Sequence, residues 1–275
     1  MKNRLWIAAL ALVGCQGEVH HDSPWIKPES VTLGCEDYQS ISVDSGTLYN
    51  NVWNKHADTS GKGLQCLESK TVEGEIWYGW SWSWPEGKRV IYGYPQIKRG
   101  ISPWAPQTGS GEGFPAKIAD LKHLRLEFET ETVTNGKHNL AASMWLTSEP
   151  MSGDTSNPSI ITTEVMVWTY STKGHFNPAG KKLAEVTIGG QDWEVWVDKS
   201  WKDVSGKNEN RWSYVTFRAL KHSLAGDIDL LKLLGYAVDQ QWIRDDMYVS
   251  DLELGNEIMS GSGITWVKSF KVSLD

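Results

Sequence analysis

Several motifs on which common enzyme classes depend are missing from this chain. It contains no GxSxG, HExxH or CxxC sequence and no glycine-rich phosphate loop, so a nucleophile elbow, a zinc protease site and a nucleotide site have little support. Basic residues are also in the minority: 27 Lys and Arg face 34 Asp and Glu, and the formal net charge is −7. This acidic balance argues against nucleic acid as a partner.

Long apolar runs are limited to the N-terminus. Residues 1–14 combine two basic residues with an apolar run that is too short to span a bilayer, a pattern typical of a secretion signal. Its end, LVGC, resembles the lipobox of bacterial lipoproteins and predicts that Cys15 is lipidated and becomes the first mature residue. The alternative is an ordinary signal peptide in which Cys15 is fortuitous.

Residues 15–31 are polar, contain two prolines and are typical of a flexible tether. Several acyl chains on Cys15 would anchor the exported protein to a membrane without a transmembrane helix. If the cell has two membranes, Gln16 rather than Asp after the lipidated residue indicates the outer one, by analogy with sorting rules. Loss of Lys2 and Arg4 with the signal changes the formal charge from −7 to −9.

Two cysteines remain after Cys15, and an exported chain permits their oxidation. We therefore expect a disulfide between Cys35 and Cys66. Residues 32–275 are long enough for one large β domain with a well-buried core, and no internal repeat or second domain is visible.

The chain is rich in tryptophan, with sixteen residues. Aromatic faces stack on the C–H faces of sugars, so this excess in an exported β protein suggests carbohydrate binding. A two-sheet sandwich equally uses tryptophan to fill its core. Trp80, Trp82 and Trp84 share one strand face, and Trp193 and Trp196 differ in parity. Alternation alone does not decide between core and cleft for them.

Short alternating segments separated by turn residues recur along the chain and predict strands. They cover 40–44, 63–68, 75–84, 89–97, 122–131, 138–146, 160–170, 183–188, 192–197, 212–219, 247–254 and 264–273. So many strands with so little helix predict an all-β fold, either a two-sheet sandwich or a jelly roll. The stretch AGDIDLLKLLGYAVDQQW predicts one short helix on the outside of the sheets, with Asp227 as its N-cap.

The stretch TTEVMVW, residues 162–168, sets one carboxylate in an apolar strand. Alternation places Glu164, Met166 and Trp168 on one face and two valines on the other. The valines are typical of core. A carboxylate is costly to bury unless it is paired or hydrogen-bonded, so the face of Glu164 is a candidate binding cleft.

A pair of carboxylates is the chemistry that the sequence leaves open. Glycosidases need two carboxyl groups that flank the glycosidic bond, one to protonate the leaving oxygen and one to attack the sugar or activate water. The stretch DLELGNEIMSGSG sets Glu257 among glycines at a strand end, where a substrate can approach the backbone closely. Spacing alone does not single out Glu164 and Glu257 as the pair, because the chain has many other acidic residues.

From about Cys35 to the C-terminus, the chain resembles glycoside hydrolase family 12, the retaining endo-β-1,4-glucanases. The motif E-[apolar]-M-[apolar]-W matches Glu164 to Trp168, and G-x-E followed by G-x-G matches the segment 255–263. YNNVW resembles the family's NNxW, and GHFNPAG contains a Pro-x-Gly turn like that of the family's cord over the cleft. The cysteine pair and the segment GDIDLLKLLGY also fall where members have a disulfide and their single helix.

The resemblance implies a β-jelly roll with a concave cleft, Glu164 as nucleophile and Glu257 as acid/base, with no metal or cofactor. It implies that the following residues bind substrate: Tyr38, Asn51, Trp53, Met166, Trp168, Pro178 and Met259. Retention requires the two carboxyl carbons to lie about 5 to 5.5 Å apart. The expected partner is a β-glucan polysaccharide, bound by a monomer. SWSW at 81–84 and TSGKGLQC resemble members that act on xyloglucan.

One departure from the family is Ser143, which occupies the position of the aspartate that hydrogen-bonds the nucleophile. Either Ser143 takes over this bond, or the nucleophile's pKa and the pH optimum differ from those of relatives. His175, near the cord turn, is expected to be a surface loop residue. Two other functions remain open: a non-catalytic β-glucan-binding lipoprotein on the same sandwich, and a xylanase of the related jelly-roll family.

Overall fold

Strands account for most of the chain that the structure describes. The structure, a computed structural model, describes residues 30–106, 109, 113–152, 155–202 and 209–275. Within these residues the strands are β1 (Ser30–Gly34), β2 (Ser40–Val43), β3 (Gly46–Tyr49), β4 (Leu64–Val72), β5 (Glu75–Trp84), β6 (Gln96–Gly100), β7 (Ala116–Lys117), β8 (Leu124–Thr134), β9 (Lys137–Thr147), β10 (Ile161–Ser171), β11 (Lys181–Ile188), β12 (Gln191–Lys202), β13 (Arg211–Ala219), β14 (Ala225–Asp229), β15 (Tyr248–Val249), β16 (Asp251–Gly255) and β17 (Ile258–Leu274). One α-helix, α1 (Leu230–Asp239), accompanies them in the described part of the chain. The predicted all-β sandwich with one short helix is confirmed.

The strands form two layers. The outer sheet has the order β1–β4–β5–β17–β8–β14. The second layer, the cleft sheet, has the order β2–β3–β6–β16–β9–β10–β13–β12–β11. Neighbouring strands are antiparallel except for β10 and β13, which run parallel. The strand that carries Glu164 therefore lies near the middle of the cleft sheet.

One apolar core fills the space between the two sheets. Val165 and Val167 of β10 belong to it and are fully buried. Met166 and Trp168 belong to a separate buried cluster on the opposite side of the cleft sheet, together with Tyr214. Period-2 alternation thus separates the two sets of side chains as predicted. We use the term cleft face for the side of this sheet that faces away from the core.

The tryptophans divide between the core and other surfaces. Trp80, Trp82 and Trp84 of β5 and Trp193 of β12 are buried in the core. Trp196 has the opposite parity and lies on the cleft face, across from Thr216. The sequence left the three tryptophans of β5 undecided between core and cleft, and the structure places them in the core.

The predicted helix is present, but its predicted start is wrong by two residues. Asp229 is the N-cap, and its side chain accepts a hydrogen bond from the backbone N–H of Lys232 at 3.2 Å. Asp227 instead lies in β14, where it forms an ion pair with Arg125 at 2.6 Å. The pairing of β14 with β8 extends the strand by two residues and delays the start of the helix.

The predicted strand at 89–97 is also wrong, because a regular strand begins only at Gln96. Pro95 has no backbone N–H to donate to a ladder. Tyr92 and Tyr94 donate theirs to Ile258 and Asn51, two separate segments. This stretch therefore crosses between parts of the fold instead of pairing along one strand.

The N-terminal predictions fall mostly outside the described residues. This holds for the signal segment at 1–14, for Cys15 and for the tether up to residue 29. Strand β1 begins at Ser30, within the segment 15–31 that was predicted as tether, and it pairs with β4. Among the described residues, no helix has the length and apolar character needed to cross a membrane.

The predicted disulfide is confirmed. Cys35 and Cys66 are bonded across a sequence separation of 31 residues. Cys35 follows β1, and Cys66 lies in β4 and is fully buried. The bond joins the end of β1 to β4, its neighbour in the outer sheet.

Replacement of both cysteines by serine should lower the stability of the domain. In the chain-entropy account a cross-link over a loop of this length stabilises by roughly 3 to 4 kcal/mol, so we expect Tm to fall by about 10 °C. Thermal unfolding of the variant, and of the wild type with reductant as a control, measures this. Melting of the variant together with the untreated wild type would contradict a stabilising role.

Candidate active site

Glu164 lies on β10 with its side chain on the cleft face. Its neighbours in the ladders are Trp145 on β9 and Tyr214 on β13. The indole Nε1 of Trp212 donates a hydrogen bond of 3.2 Å to Glu164 Oε2. Hydrogen bonds to an ionised acceptor are stronger than those between neutral groups. This contact therefore suits a carboxylate at Glu164.

Three tryptophans form a wall beside Glu164. The ring centroids of Trp104, Trp145 and Trp212 lie 5.5 to 5.7 Å apart, and every pair is arranged edge to face. Edge-to-face pairs at this spacing are favourable beyond their burial. The wall therefore fixes the indole of Trp212 that contacts Glu164. Sequence reasoning missed it, although Trp212 and Tyr214 alternate on β13 much as Glu164 and Met166 do on β10.

Glu257 lies between β16 and β17, and Asn139 of β9 holds it. Asn139 Nδ2 donates a short hydrogen bond to Glu257 Oε2. Asn139 Oδ1 accepts from the backbone N–H of Glu257 at 2.8 Å, and the backbone N–H of Asn139 donates to Glu257 O at 3.2 Å. One asparagine thus fixes both the main chain and the carboxyl group of Glu257. No sequence motif pointed to Asn139.

Asn139 is itself held from the core side. Asn256 Nδ2 donates to the carbonyl of Asn139 at 2.6 Å, and Asn256 Oδ1 accepts from Trp80 Nε1 at 2.7 Å. Both asparagines are fully buried. Trp80 of the core is therefore linked to Glu257 by a chain of hydrogen bonds through Asn256 and Asn139. Asn256, the variable position of G-x-E, has a structural role here.

The surroundings of Glu257 favour its protonated form. Burial raises the pKa of Glu257 from 4.5 to about 7, although the hydrogen bond from Asn139 acts in the opposite direction. Burial raises the pKa values of Tyr94 and Tyr214 well above 10; the charge of Glu253 adds to this at Tyr94, and the charges of Glu257 and Glu164 add at both tyrosines. The two carboxyl groups therefore act on the same two tyrosines.

Tyr94 lies on the floor of the site, beside Ala141 and Gly255. Its hydroxyl donates to the carbonyl of Ala141 at 2.8 Å. A Cβ atom at Gly255 would lie 3.0 Å from the Tyr94 ring and 2.4 Å from the carbonyl oxygen of Pro95. The first glycine of G-x-E is thus required for this close approach.

Met166 and Trp168 lie beside Glu164 on the cleft face, as predicted from alternation. Both are buried, and the hydroxyl of Tyr214 donates to Met166 Sδ at 3.0 Å. The cord, residues 172–180, reaches this cluster through Ala179. Pro178 is buried within the cord. The two predicted residues and the cord therefore meet on the same face.

His175 of the cord is not the surface residue that was expected. It packs edge-on against Trp168 with ring centroids 5.3 Å apart, and its Nε2 lies 3.3 Å from the carbonyl oxygen of Glu257. Burial lowers its pKa from 6.5 to about 4, so the ring is neutral near pH 7. The cord therefore contacts the backbone of the predicted acid/base.

The remaining predicted binding residues occupy different surroundings. The backbone carbonyl of Asn51 accepts from the N–H of Tyr94 at 2.8 Å, which brings the NNxW segment to the floor of the site. Trp53 is half-buried, Tyr38 is exposed with a φ of 63°, and Met259 is buried in β17. No group of three or more His, Cys, Asp or Glu in the described part of the chain is arranged to hold a metal ion.

Ser143 lies on the cleft face but does not stand opposite Glu164. In the ladders it pairs with Met166 on one side and with Glu253 on the other. It is buried, and its hydroxyl has no hydrogen-bond partner among the described residues. The hydrogen bond to Glu164 described above comes from Trp212 instead.

Comparisons with known proteins agree on one family. The family model for Glycosyl hydrolase family 12 matches residues 45–275. Endoglucanase S of Pectobacterium parmentieri is 26% identical over 228 residues, which cover 82% of this chain and 81% of the relative. A xyloglucan-specific endo-β-1,4-glucanase A of Emericella nidulans is 25% identical over 244 residues, which cover 87% of this chain and 90% of the relative.

Among solved structures, a family 12 xyloglucanase from Bacillus licheniformis has a TM-score of 0.75 and 24% identity. The match covers 90% of this chain and 100% of the other. At this level of identity the likeness concerns the fold.

The pKa of Glu257 predicts a pH-dependent difference in stability between the wild type and Glu257→Gln. A carboxyl group whose pKa is raised from 4.5 to about 7 on folding supports the fold fully below pH 4.5 and loses that support as pH rises through 7. Gln keeps an acceptor for Asn139 and does not titrate. The Tm of Glu257→Gln relative to wild type should therefore rise between pH 4.5 and 7 and then level off.

Thermal melts at a series of pH values from 4 to 8 measure this difference. Glu75→Gln, at an exposed strand position, is the control and should show no such rise. A difference for Glu257→Gln that stays constant over the whole range would contradict the raised pKa.

Proposed function

The chain belongs to glycosyl hydrolase family 12 and is a glycoside hydrolase, and we propose that it cleaves internal β-1,4-glucosidic bonds of β-glucans with retention. The observation that carries this proposal is the different surroundings of the two glutamates. Glu164 accepts an indole N–H, which suits a carboxylate, whereas burial holds the pKa of Glu257 at about 7. A nucleophile and a general acid are the two groups that this reaction needs.

In the first step, Glu164 attacks the anomeric carbon while Glu257 transfers its proton to the leaving oxygen. The C–O bond to the aglycone breaks, and a covalent glycosyl-enzyme forms at Glu164. Asn139 keeps the Glu257 carboxyl group in position through its side-chain hydrogen bonds. Trp212 keeps Glu164 Oε2 in position.

In the second step, Glu257 acts as a base toward water. Its proton has left with the aglycone, and it accepts a proton from the attacking water while the bond to Glu164 breaks. This returns both carboxyl groups to their starting forms. Attack from opposite sides in the two steps retains the anomeric configuration.

The substrate is a β-1,4-glucan, and two preferences are supported by relatives. One relative bears the name endoglucanase and another the name xyloglucan-specific endoglucanase. We assign Asn51 and Trp53 to glycone-side binding, Tyr38 to the cleft as an aromatic contact, and Met166 and Trp168 to the sugar that reacts. Pro178 in the cord and Met259 after Glu257 complete the proposed binding set.

The proposed setting is outside the cytoplasm. The secretion signal at 1–14 and the disulfide between Cys35 and Cys66 support export. Lipidation of Cys15 would hold the enzyme at a membrane surface, with residues 15–31 leading to the domain. We propose that it acts there as a monomer on polysaccharide.

Glu164→Gln and Glu257→Gln should each reduce hydrolysis of soluble β-glucan by at least about 1,000-fold, because each removes one of the two reacting groups. Reducing-sugar release measures this, with folding checked by thermal melts. Wild-type activity in either variant would sink the assignment. A wild type without activity on any β-1,4-glucan or xylan would instead favour a carbohydrate-binding function.

An activated aryl cellobioside separates the two roles. A dinitrophenolate leaves without protonation, so Glu257→Gln should still release one equivalent of phenol in a burst, and azide should speed its later turnover because it needs no base. Glu164→Gln should give no burst. A burst in Glu164→Gln would exclude it as nucleophile.

The preferred polysaccharide is tested by product analysis on carboxymethylcellulose, mixed-linkage glucan, xyloglucan and xylan side by side. We expect cleavage of the β-glucans and not of xylan. Efficient cleavage of xylan alone would move the assignment to the xylanase alternative.

A further inference from the structure

A group of three charged residues is buried in the cleft sheet and takes no part in the mechanism above. Lys98 of β6 and Asp251 and Glu253 of β16 have exposed fractions of 0%, 0% and 4%. Lys98 stands directly opposite Glu253 in the ladder. Glu253 in turn stands opposite Ser143, so the three side chains lie on the cleft face.

The three residues form one charge cluster. Burial raises the pKa of Glu253 well above 4.5, and the charge of Asp251 raises it further. Burial also raises the pKa of Asp251 to about 6 and lowers that of Lys98 from 10.5. The two carboxyl groups lie close enough to shift each other's pKa. The charge of Lys98 acts on Glu253 in the opposite direction to that of Asp251 and lowers its pKa.

The Asp251 carboxylate reaches the strand next to Glu164. Its Oδ1 accepts from the backbone N–H of Trp145 at 3.2 Å. The regular pairing of β16 with β9 runs only from Gly255 to Glu253, so at Trp145 a side chain takes the place of a main-chain acceptor. Trp145 is also the residue that stands opposite Glu164 in the β9–β10 ladder.

Trp145 connects this contact to the reacting group. Its indole packs edge to face on that of Trp212, with ring centroids 5.5 Å apart, and Trp212 donates to Glu164 Oε2. Trp104 contacts both rings. A shift of Trp145 would therefore be passed to the donor of Glu164 by direct packing.

We propose that Asp251 is a positioning residue that fixes Glu164 through Trp145 and Trp212. This inference rests on the proposed role of Glu164 as nucleophile. Asp251 and Glu253 lie on β16, the strand that pairs with β9 at Ser143. The hydroxyl of Ser143 has no hydrogen-bond partner among the described residues.

The test compares two substitutions at Asp251. Asp251→Ala removes the acceptor of the Trp145 N–H, and a displaced reacting group lowers kcat by up to about 100-fold. We expect kcat to fall by about 30-fold with KM within about 2-fold of wild type. Asp251→Asn keeps a side-chain oxygen for Trp145, and its amide can donate to an ionised Glu253. It should restore most of kcat.

Glu68 offers a matched control. It is a fully buried carboxyl group in β4 of the outer sheet, where Thr32 and Ser81 donate to it at 3.0 and 2.6 Å. Glu68→Ala should lower Tm and leave kcat unchanged. If Asp251→Ala fails to fold, Lys98→Met/Asp251→Leu removes both charges together, which buried pairs often tolerate, and it should show the same loss of kcat.

A double-mutant cycle tests the route through the tryptophans. Trp212→Phe removes the hydrogen bond to Glu164, so the combination with Asp251→Ala should be little slower than the slower single variant. If the losses of kcat in the two single variants simply multiply in the double variant, the route through the tryptophans is overturned. Wild-type kcat in a folded Asp251→Ala, or an Asp251→Asn as slow as Asp251→Ala, would overturn the positioning role.

The outcomes also separate this inference from the proposed function. Activity in Glu164→Gln sinks the proposed nucleophile and the positioning role with it. An inactive Glu164→Gln beside a fully active Asp251→Ala sinks the positioning role alone.

Discussion

The two-sided character of the cleft sheet is the constraint on which the rest of the structure depends. Each of its strands must supply apolar side chains to the core at every second position, because the core lies on one side only. In β10 the two valines meet this need. The intervening positions are then free to hold Glu164, Met166 and Trp168 against the cleft. Residues that face the cleft and residues that fill the core therefore alternate along the strand, and a shift of register by one residue would exchange their faces.

The sequence patterns predicted the fold and part of the candidate site. Alternation in TTEVMVW places its side chains correctly, and two leftover cysteines in an exported chain predict the disulfide. The sequence could not identify Asn139, Trp212 or Tyr94, because their roles depend on contacts between segments far apart in the chain. Glu257 and Asn139, for example, are 118 residues apart. The start of the helix was missed for a similar reason, since the pairing of β14 with β8 decides it.

Buried polar groups in the cleft sheet form two separate systems. On one side, Trp80 and two asparagines hold Glu257 through neutral hydrogen bonds. On the other side, Asp251 of the buried charge cluster accepts from the backbone N–H of Trp145, which stands opposite Glu164. Such buried groups are costly, and Lys98 Nζ and Asp251 Oδ2 have no hydrogen-bond partner among the described residues. Their concentration around two glutamates indicates that the sheet gives up apolar packing in exchange for fixed geometry.

The cord has a mechanical consequence for a polymer substrate. His175 contacts both Trp168, which belongs to the floor, and the main chain of Glu257. Displacement of the cord would therefore break a contact with the main chain of Glu257, the proposed acid/base. Under the proposed mechanism, a polymer that displaces the cord would also remove one support of the proton donor.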